Sequence, residues 1–230
     1  MKKSLNQPLK LIVGLPGGFC YVASLYLNKV PLFLGITALC FLTACANFYR
    51  NQDIRVVQTS PTKAYTNSPS RFVFPPRVGS FERAQIVEYD SYGMDVGVGY
   101  NDPKESIAMT VYVYPISQNA PNDTLNRHFI ICKGIVLAQH AGALLVVDDP
   151  VQIAPAGIQH TGLRAAFTYT DKFEHKRQPL RSELYLFTHG QRFVKYRVTY
   201  PAGRQAEAEL AIRELMTQLA WPPALIFDRE

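Results

Sequence analysis

Alternating apolar and polar side chains predict a chain rich in β-strands. In residues 107–114, a methionine and two valines point one way, while Thr110, Tyr112 and Tyr114 point the other way. The same period of two predicts further strands over residues 83–89, 96–100, 163–170, 181–188 and 192–200. His189-Gly190 is typical of a tight hairpin turn, so the last three strands should form an antiparallel meander. Two short strands are predicted at 144–147 and 152–153, around a turn at Asp148-Asp149-Pro150.

Two segments show helical spacing instead. Residues 123–140 carry apolar side chains on one helical face, which includes Cys132, and Gly142 suits the end of that helix. Residues 204–219 form the second predicted helix, whose apolar stripe consists of Ala208, Ala211, Ile212, Leu215 and Leu219. Trp221 is expected to pack the end of this helix onto the core. The order predicts an α+β domain over 71–222, with a mostly antiparallel sheet flanked by two helices, and a tail at 223–230.

This order of elements resembles the PsbP-like fold. The resemblance begins at Phe72-Val73-Phe74-Pro75-Pro76 and continues through strands, a helix and the meander. It ends with Arg192-Phe193-Val194-Lys195-Tyr196-Arg197, then Tyr200-Pro201 and the final helix, so it covers roughly 71–222. Small bacterial lipoproteins share the PsbP-like fold, and the resemblance implies a scaffold that binds a ligand or partner. Fold alone does not determine function.

The N-terminal region resembles the leader of a bacterial lipoprotein. Residues 30–44 form an apolar run that follows Lys29 and is too short to span a bilayer comfortably. The run ends in Leu42-Thr43-Ala44-Cys45, which is similar to a lipobox. The resemblance implies a signal peptide over 1–44, cleavage before Cys45, and attachment of diacylglycerol and fatty acids such as palmitate to that cysteine. Residues 45–70 are mostly polar and small, which predicts a flexible tether after the lipidated cysteine.

Charge and motifs exclude several classes of function. The chain has a net charge of +6, but four of its 24 Lys and Arg and none of its 18 Asp and Glu lie in residues 1–44, which leaves +2 for the rest. A nearly neutral domain does not favour nucleic-acid binding. There is no Gly-x-Ser-x-Gly or His-Glu-x-x-His motif, and the glycines at 93, 97 and 99 lack the helix that a dinucleotide site needs. We therefore expect no catalytic residues, no metal and no cofactor, and a buried apolar Cys132.

Two groups of residues are candidates for binding. Tyr112 and Tyr114 lie opposite the expected core face of their strand, where they could line a groove, or form core if the second helix covers them. A cationic group is predicted across the meander, with Glu183 among its members: Arg164, Arg181, Lys195 and Arg197. It could meet an anionic partner, or it could be a solvated sheet face.

The sequence thus predicts a non-enzymatic envelope lipoprotein. A lipid anchor would tie it to the membrane, facing the periplasm, and the domain would bind an envelope protein or the cell wall. Ala46 after the cysteine resembles the outer-membrane pattern more than the inner-membrane one. The alternative is a carrier or sensor of a small apolar or aromatic ligand held between sheet and helix beside the two tyrosines.

A second apolar run at 11–27 is separated from the leader by Asn28-Lys29, which is unusual for one signal peptide. We predict that translation begins near Leu27, from a non-standard start codon. The intact mass of the unprocessed precursor should therefore lack residues 1–26. A precursor that carries those residues would contradict the prediction.

Overall fold

The computed structural model describes residues 54–224 and, before them, two short paired strands, β1 (Val13–Leu15) and β2 (Phe19–Tyr21). The predicted lipobox Leu42-Thr43-Ala44-Cys45 lies outside the described residues, as do residues 46–53 and 225–230.

A nine-stranded antiparallel sheet forms the centre of the domain. Its strands run in the order β10-β11-β12-β13-β9-β8-β7-β3, and β6 pairs with β7. Their bounds are β3 Arg55–Val56, β6 Arg77–Val78, β7 Phe81–Glu88, β8 Val96–Asp102, β9 Ile107–Pro115, β10 Leu144–Ile153, β11 His160–Phe173, β12 Lys176–His189 and β13 Arg192–Pro201. Beside the sheet, β4 (Tyr65–Thr66) pairs with β5 (Val73–Phe74).

One helix packs on each face of the sheet. Helix α1 (Thr124–Gln139) buries Phe129, Cys132 and Val136 against what we call the α1 face. Helix α2 (Gln205–Gln218) buries its apolar stripe against the opposite, α2 face. Trp221 follows α2 and donates from Nε1 to the Tyr196 hydroxyl at 3.0 Å, which fastens the C-terminal end of α2 to the sheet.

Much of the predicted architecture is confirmed. The domain is α+β, with a large antiparallel sheet and two helices, and the meander occupies β11, β12 and β13. The predicted helices begin and end within one residue of the observed ones. Cys132 is buried, as expected from its position on the apolar face of α1.

The turn predicted at Asp148-Asp149-Pro150 is wrong, because β10 runs through it without a break. Strand β10 pairs only with β11 in the described sheet, so it is an edge strand. An edge strand tolerates proline because the missing N–H falls on the unpaired side. The pairing does shift register between Leu145 and Val147.

The predicted tether does not extend to residue 70. Arg55 and Val56 pair with Glu88 and Val87 of β7, and Ile54 packs against the apolar cluster of the α1 face. Asn67 is only 1% exposed; its Nδ2 donates to the Gly93 carbonyl at 2.9 Å. Buried hydrogen bonds thus hold the end of this segment at Asn67 and Ser70, although many of its other side chains are exposed, and the described domain begins at residue 54.

Replacing Asn67 with alanine tests this boundary. Asn67→Ala leaves the Gly93 carbonyl without that donor, so we expect the free energy of unfolding to fall by about 1–3 kcal/mol. Urea denaturation monitored by circular dichroism would measure the loss. Asn119→Ala, at an exposed loop position, is the control and should change stability by less than about 0.5 kcal/mol. Equal stability of the two variants would contradict the conclusion that the segment around Asn67 is packed into the domain.

Candidate functional site

The six candidate binding residues divide between the two faces of the sheet. Lys195 pairs with Tyr112 across β13 and β9, so Lys195 and Arg197 lie on the α1 face with the two tyrosines. Arg181 pairs with Tyr200, and Arg164 pairs with Tyr185, both on the α2 face. The prediction of one cationic group across the meander is therefore wrong. Alternation places Arg181 and Lys195 on opposite faces once the register of β12 and β13 is known.

Tyr112 and Tyr114 belong to the core of the α1 face. They are 4% and 1% exposed, and they share an apolar cluster with Phe129, Cys132 and Val136 of α1. The sequence analysis left open that the second helix covers these tyrosines, but the first helix packs on this face. The tyrosines therefore do not present an open groove in this structure.

A cation lies among the tyrosine rings. Lys195 is 3% exposed, and its Nζ lies 4.4 Å from the ring centroid of Tyr112 and 5.2 Å from that of Tyr114. Ammonium groups at such distances are attracted to the negative face of an aromatic ring. The Tyr89 and Tyr112 rings stack at 6.2 Å beside Gly97, where a Cβ would come within 3.1 Å of both rings. Glycine at 97 therefore permits this close arrangement.

A histidine that sequence reasoning did not select completes the cluster. His128 on α1 places Nε2 2.7 Å from the Tyr114 hydroxyl and 3.6 Å from the Cys132 sulfur. Burial, followed by the positive charge of Lys195, lowers the pKa of His128 to about 4, so the ring is neutral at neutral pH. The spacing of His128 and Cys132, one helical turn apart, was the signal that could have placed both on the buried face of α1.

Asp95 is the most perturbed carboxyl near this cluster. It is 7% exposed, and within residues 54–224 its Oδ1 has no hydrogen-bond partner. Burial raises the pKa of Asp95 to about 7; Lys195 opposes the shift and Asp90 adds to it. This carboxyl therefore changes charge near neutral pH beside a buried cation.

A second buried carboxylate organises the α2 face. Glu183 is fully buried and accepts hydrogen bonds from the hydroxyls of Tyr185 and Tyr200. Arg164 donates to it from Nε at 3.0 Å, and Arg181 from Nε at 3.3 Å. Burial alone would raise the pKa of Glu183, but the two tyrosines and Arg164 outweigh burial and hold the pKa below its ordinary value. This arrangement stabilises an ion rather than exposing one.

A cationic cleft lies at the end of the sheet where β12 begins. Its volume is about 480 Å³, and three cations line it: Lys176, Arg177 and Arg204. Arg204 also contacts Glu105 at 3.1 Å.

In the part of the chain described, no three His, Cys, Asp or Glu side chains gather as a metal site would require. Among the described helices, none has the length and apolar character to cross a membrane.

The central carboxylate gives a prediction with a defined pH dependence. Glu183→Gln removes the charge that pairs Arg164 and Arg181, so we expect a loss of about 3 kcal/mol in the free energy of unfolding at pH 7. Because the folded pKa is depressed, this stabilisation is present above the unfolded pKa of about 4.3 and is lost as the pH falls through the lower folded value.

Urea denaturation at pH 7 and at pH 3 would measure the effect of Glu183→Gln. Glu209→Gln is the matched control, since that carboxylate is half-exposed and its contact with Arg164, at 3.9 Å, is longer than the 3.0 Å contact of Glu183. It should cost less than about 0.5 kcal/mol. If both variants are equally stable at pH 7, the buried carboxylate does not have the role assigned to it.

Asp95 gives a prediction of opposite sign. The folded pKa is raised, so the free energy of unfolding should fall as the pH rises from about 4 towards 7. Asp95→Asn does not titrate, so it should match the original protein at pH 4 and exceed its stability at pH 8 by on the order of 4 kcal/mol. Asp149→Asn, at an exposed position, is the control and should change little at either pH. Thermal unfolding at both pH values measures the difference, and a destabilised Asp95→Asn at pH 8 would contradict the account.

Comparison with known proteins does not assign this chain to a family. No protein-family model matches it, and no curated protein matches it.

Proposed function

We propose that this chain is a lipid-anchored protein of the bacterial cell envelope whose α+β domain is a non-enzymatic binding module. The observation that carries the proposal is the apolar run that ends in Leu42-Thr43-Ala44-Cys45. In this proposal the Cys45 thiol carries the acyl chains, and the domain faces the periplasm, on the outer membrane in preference to the inner one. Two or three chains on one cysteine hold a protein firmly, whereas one chain binds only marginally.

The geometry of the domain supports a binding role over an enzymatic one. Two of its buried ionisable groups have partners that stabilise the fold: Glu183 holds two arginines and two tyrosines, and His128 contacts the Tyr114 hydroxyl. A catalytic acid or base must reach a substrate proton within hydrogen-bond distance. Glu183 is fully buried, which argues against such a role for it.

The arrangement of the sheet and helices supports the PsbP-like resemblance. Strands, a first helix, the meander and a last helix follow one another along the chain, which is the order of elements on which the resemblance rests. A scaffold of this kind would bind an envelope protein or the cell wall. The alternative, a carrier of a small aromatic or apolar ligand, remains a prediction. The burial of Tyr112 and Tyr114 disfavours it, because these side chains do not line an open groove that a ligand could enter.

Replacing the lipobox cysteine tests the proposal directly. The native protein should carry diacylglyceryl and fatty acyl groups on Cys45, begin at that residue, and partition with membranes. Cys45→Ala should abolish the acylation and the cleavage before residue 45. Intact mass spectrometry and labelling with radioactive palmitate would measure both changes.

Cys40→Ala is the matched control, because it removes a cysteine from the same apolar run and keeps Cys45. It should be acylated and cleaved normally. A native protein with an unmodified Cys45, or a Cys45→Ala variant that still incorporates palmitate, would overturn the proposal.

A further inference from the structure

The loop between β7 and β8 presents an aromatic side chain to solvent from a fixed backbone. Tyr92 is 82% exposed, and Met94 is 36% exposed. The Asp90 carboxylate accepts hydrogen bonds from the backbone N–H groups of Tyr92 at 2.8 Å, Met94 at 3.1 Å and Asp95 at 2.7 Å. One carboxylate therefore fixes the turn that carries the exposed tyrosine.

Two further buried side chains hold the same loop from the domain side. Asn67 donates from Nδ2 to the Gly93 carbonyl at 2.9 Å, and Arg192 donates from Nη1 to the Met94 carbonyl at 3.2 Å. Gly93 has a φ of +66°, which favours glycine at this position. A loop held in place in this way loses little conformational entropy when its exposed side chains make a contact. We call residues 90–95 the β7–β8 loop.

The described domain begins beside this loop. Arg55 pairs with Glu88 in the ladder between β3 and β7, and Glu88 lies two residues before the loop. From Cys45 to Ile54 the chain advances nine residues, which span at most about 30 Å when fully extended. If Cys45 is lipidated, as the proposed function requires, the β7–β8 loop is held within about that distance of the bilayer.

We infer that the β7–β8 loop is the membrane contact of this domain, with Tyr92 and Met94 at the headgroup level of the bilayer that holds Cys45. Tyrosine suits this position because its ring is apolar and its hydroxyl can stay hydrated. Tyrosine is also enriched at membrane interfaces. The acyl chains already supply the affinity, so the loop sets the orientation of the domain. Tether length favours the bilayer over a protein partner as the occupant, because the bilayer is always within reach.

An environment-sensitive fluorophore on Tyr92→Cys would test the contact in the full-length mature lipoprotein. The protein would be placed in vesicles of phosphatidylethanolamine and phosphatidylglycerol that contain spin-labelled lipid. In the lipidated protein Cys45 is blocked and Cys132 is 5% exposed, so labelling is directed to residue 92. The matched control is Lys176→Cys, at an exposed position where β12 begins. His189, the last residue of β12, lies at the same end of the sheet as the β7–β8 loop. Residue 176, the first residue of β12, therefore lies at the opposite end of the sheet.

The expected result is a blue-shifted, lipid-quenched probe at residue 92 and an unquenched, water-like probe at residue 176. Intact mass of the same samples reports the acylation of Cys45 separately. Acylated protein with residue 92 as water-exposed as residue 176 would overturn the membrane contact and leave the anchor standing. Shielding of both sites, or shielding of residue 92 only after envelope proteins are added, would also overturn it. An unmodified Cys45 would overturn the proposed function and this inference with it.

Discussion

Burial of both faces of the central strands is the constraint on which the rest of the domain depends. In β12 and β13 successive side chains point alternately towards α1 and towards α2, and both directions lead into core. Charged residues in the middle of these strands, such as Glu183 and Lys195, are therefore shielded from bulk water, and an unpaired buried ion costs several kcal/mol. Glu183 is accordingly paired with two arginines, and Lys195 lies over tyrosine rings.

Alternation in the sequence was sufficient to predict the strands and the meander, but it did not reveal that both faces are covered. A strand that alternates apolar and polar side chains is typical of a sheet that has one face in the core and the other exposed to solvent. Here the polar side of β9 and β13 includes Tyr112 and Lys195, which are both buried. The cationic residues could not be grouped from the sequence either, because the face that a residue occupies relative to its neighbours depends on strand register, which is a tertiary property.

The two errors in segment boundaries have the same physical origin. Polar and proline-containing stretches were interpreted as solvated loops, yet the hydrogen bonds of Asn67 are buried, and Pro150 lies in an edge strand. Local composition cannot distinguish a polar group that binds water from one that binds the backbone of a distant strand. The consequence for function is direct: under the proposed lipidation, residues 46–53 alone separate the anchor from the described domain, so the domain is held close to the membrane.

Native-state hydrogen exchange tests the central claim that a sheet buried on both faces holds together the whole unit from residue 54 onward. Amides of β9, β12 and β13 should exchange only through global unfolding, and the Val57 and Asn67 amides, bonded to Ile86 and Phe72, should be protected well above the rates of an unfolded chain. Exchange of the Val57 and Asn67 amides at unfolded rates, or of the β13 amides as fast as those at the β10 edge, would contradict it.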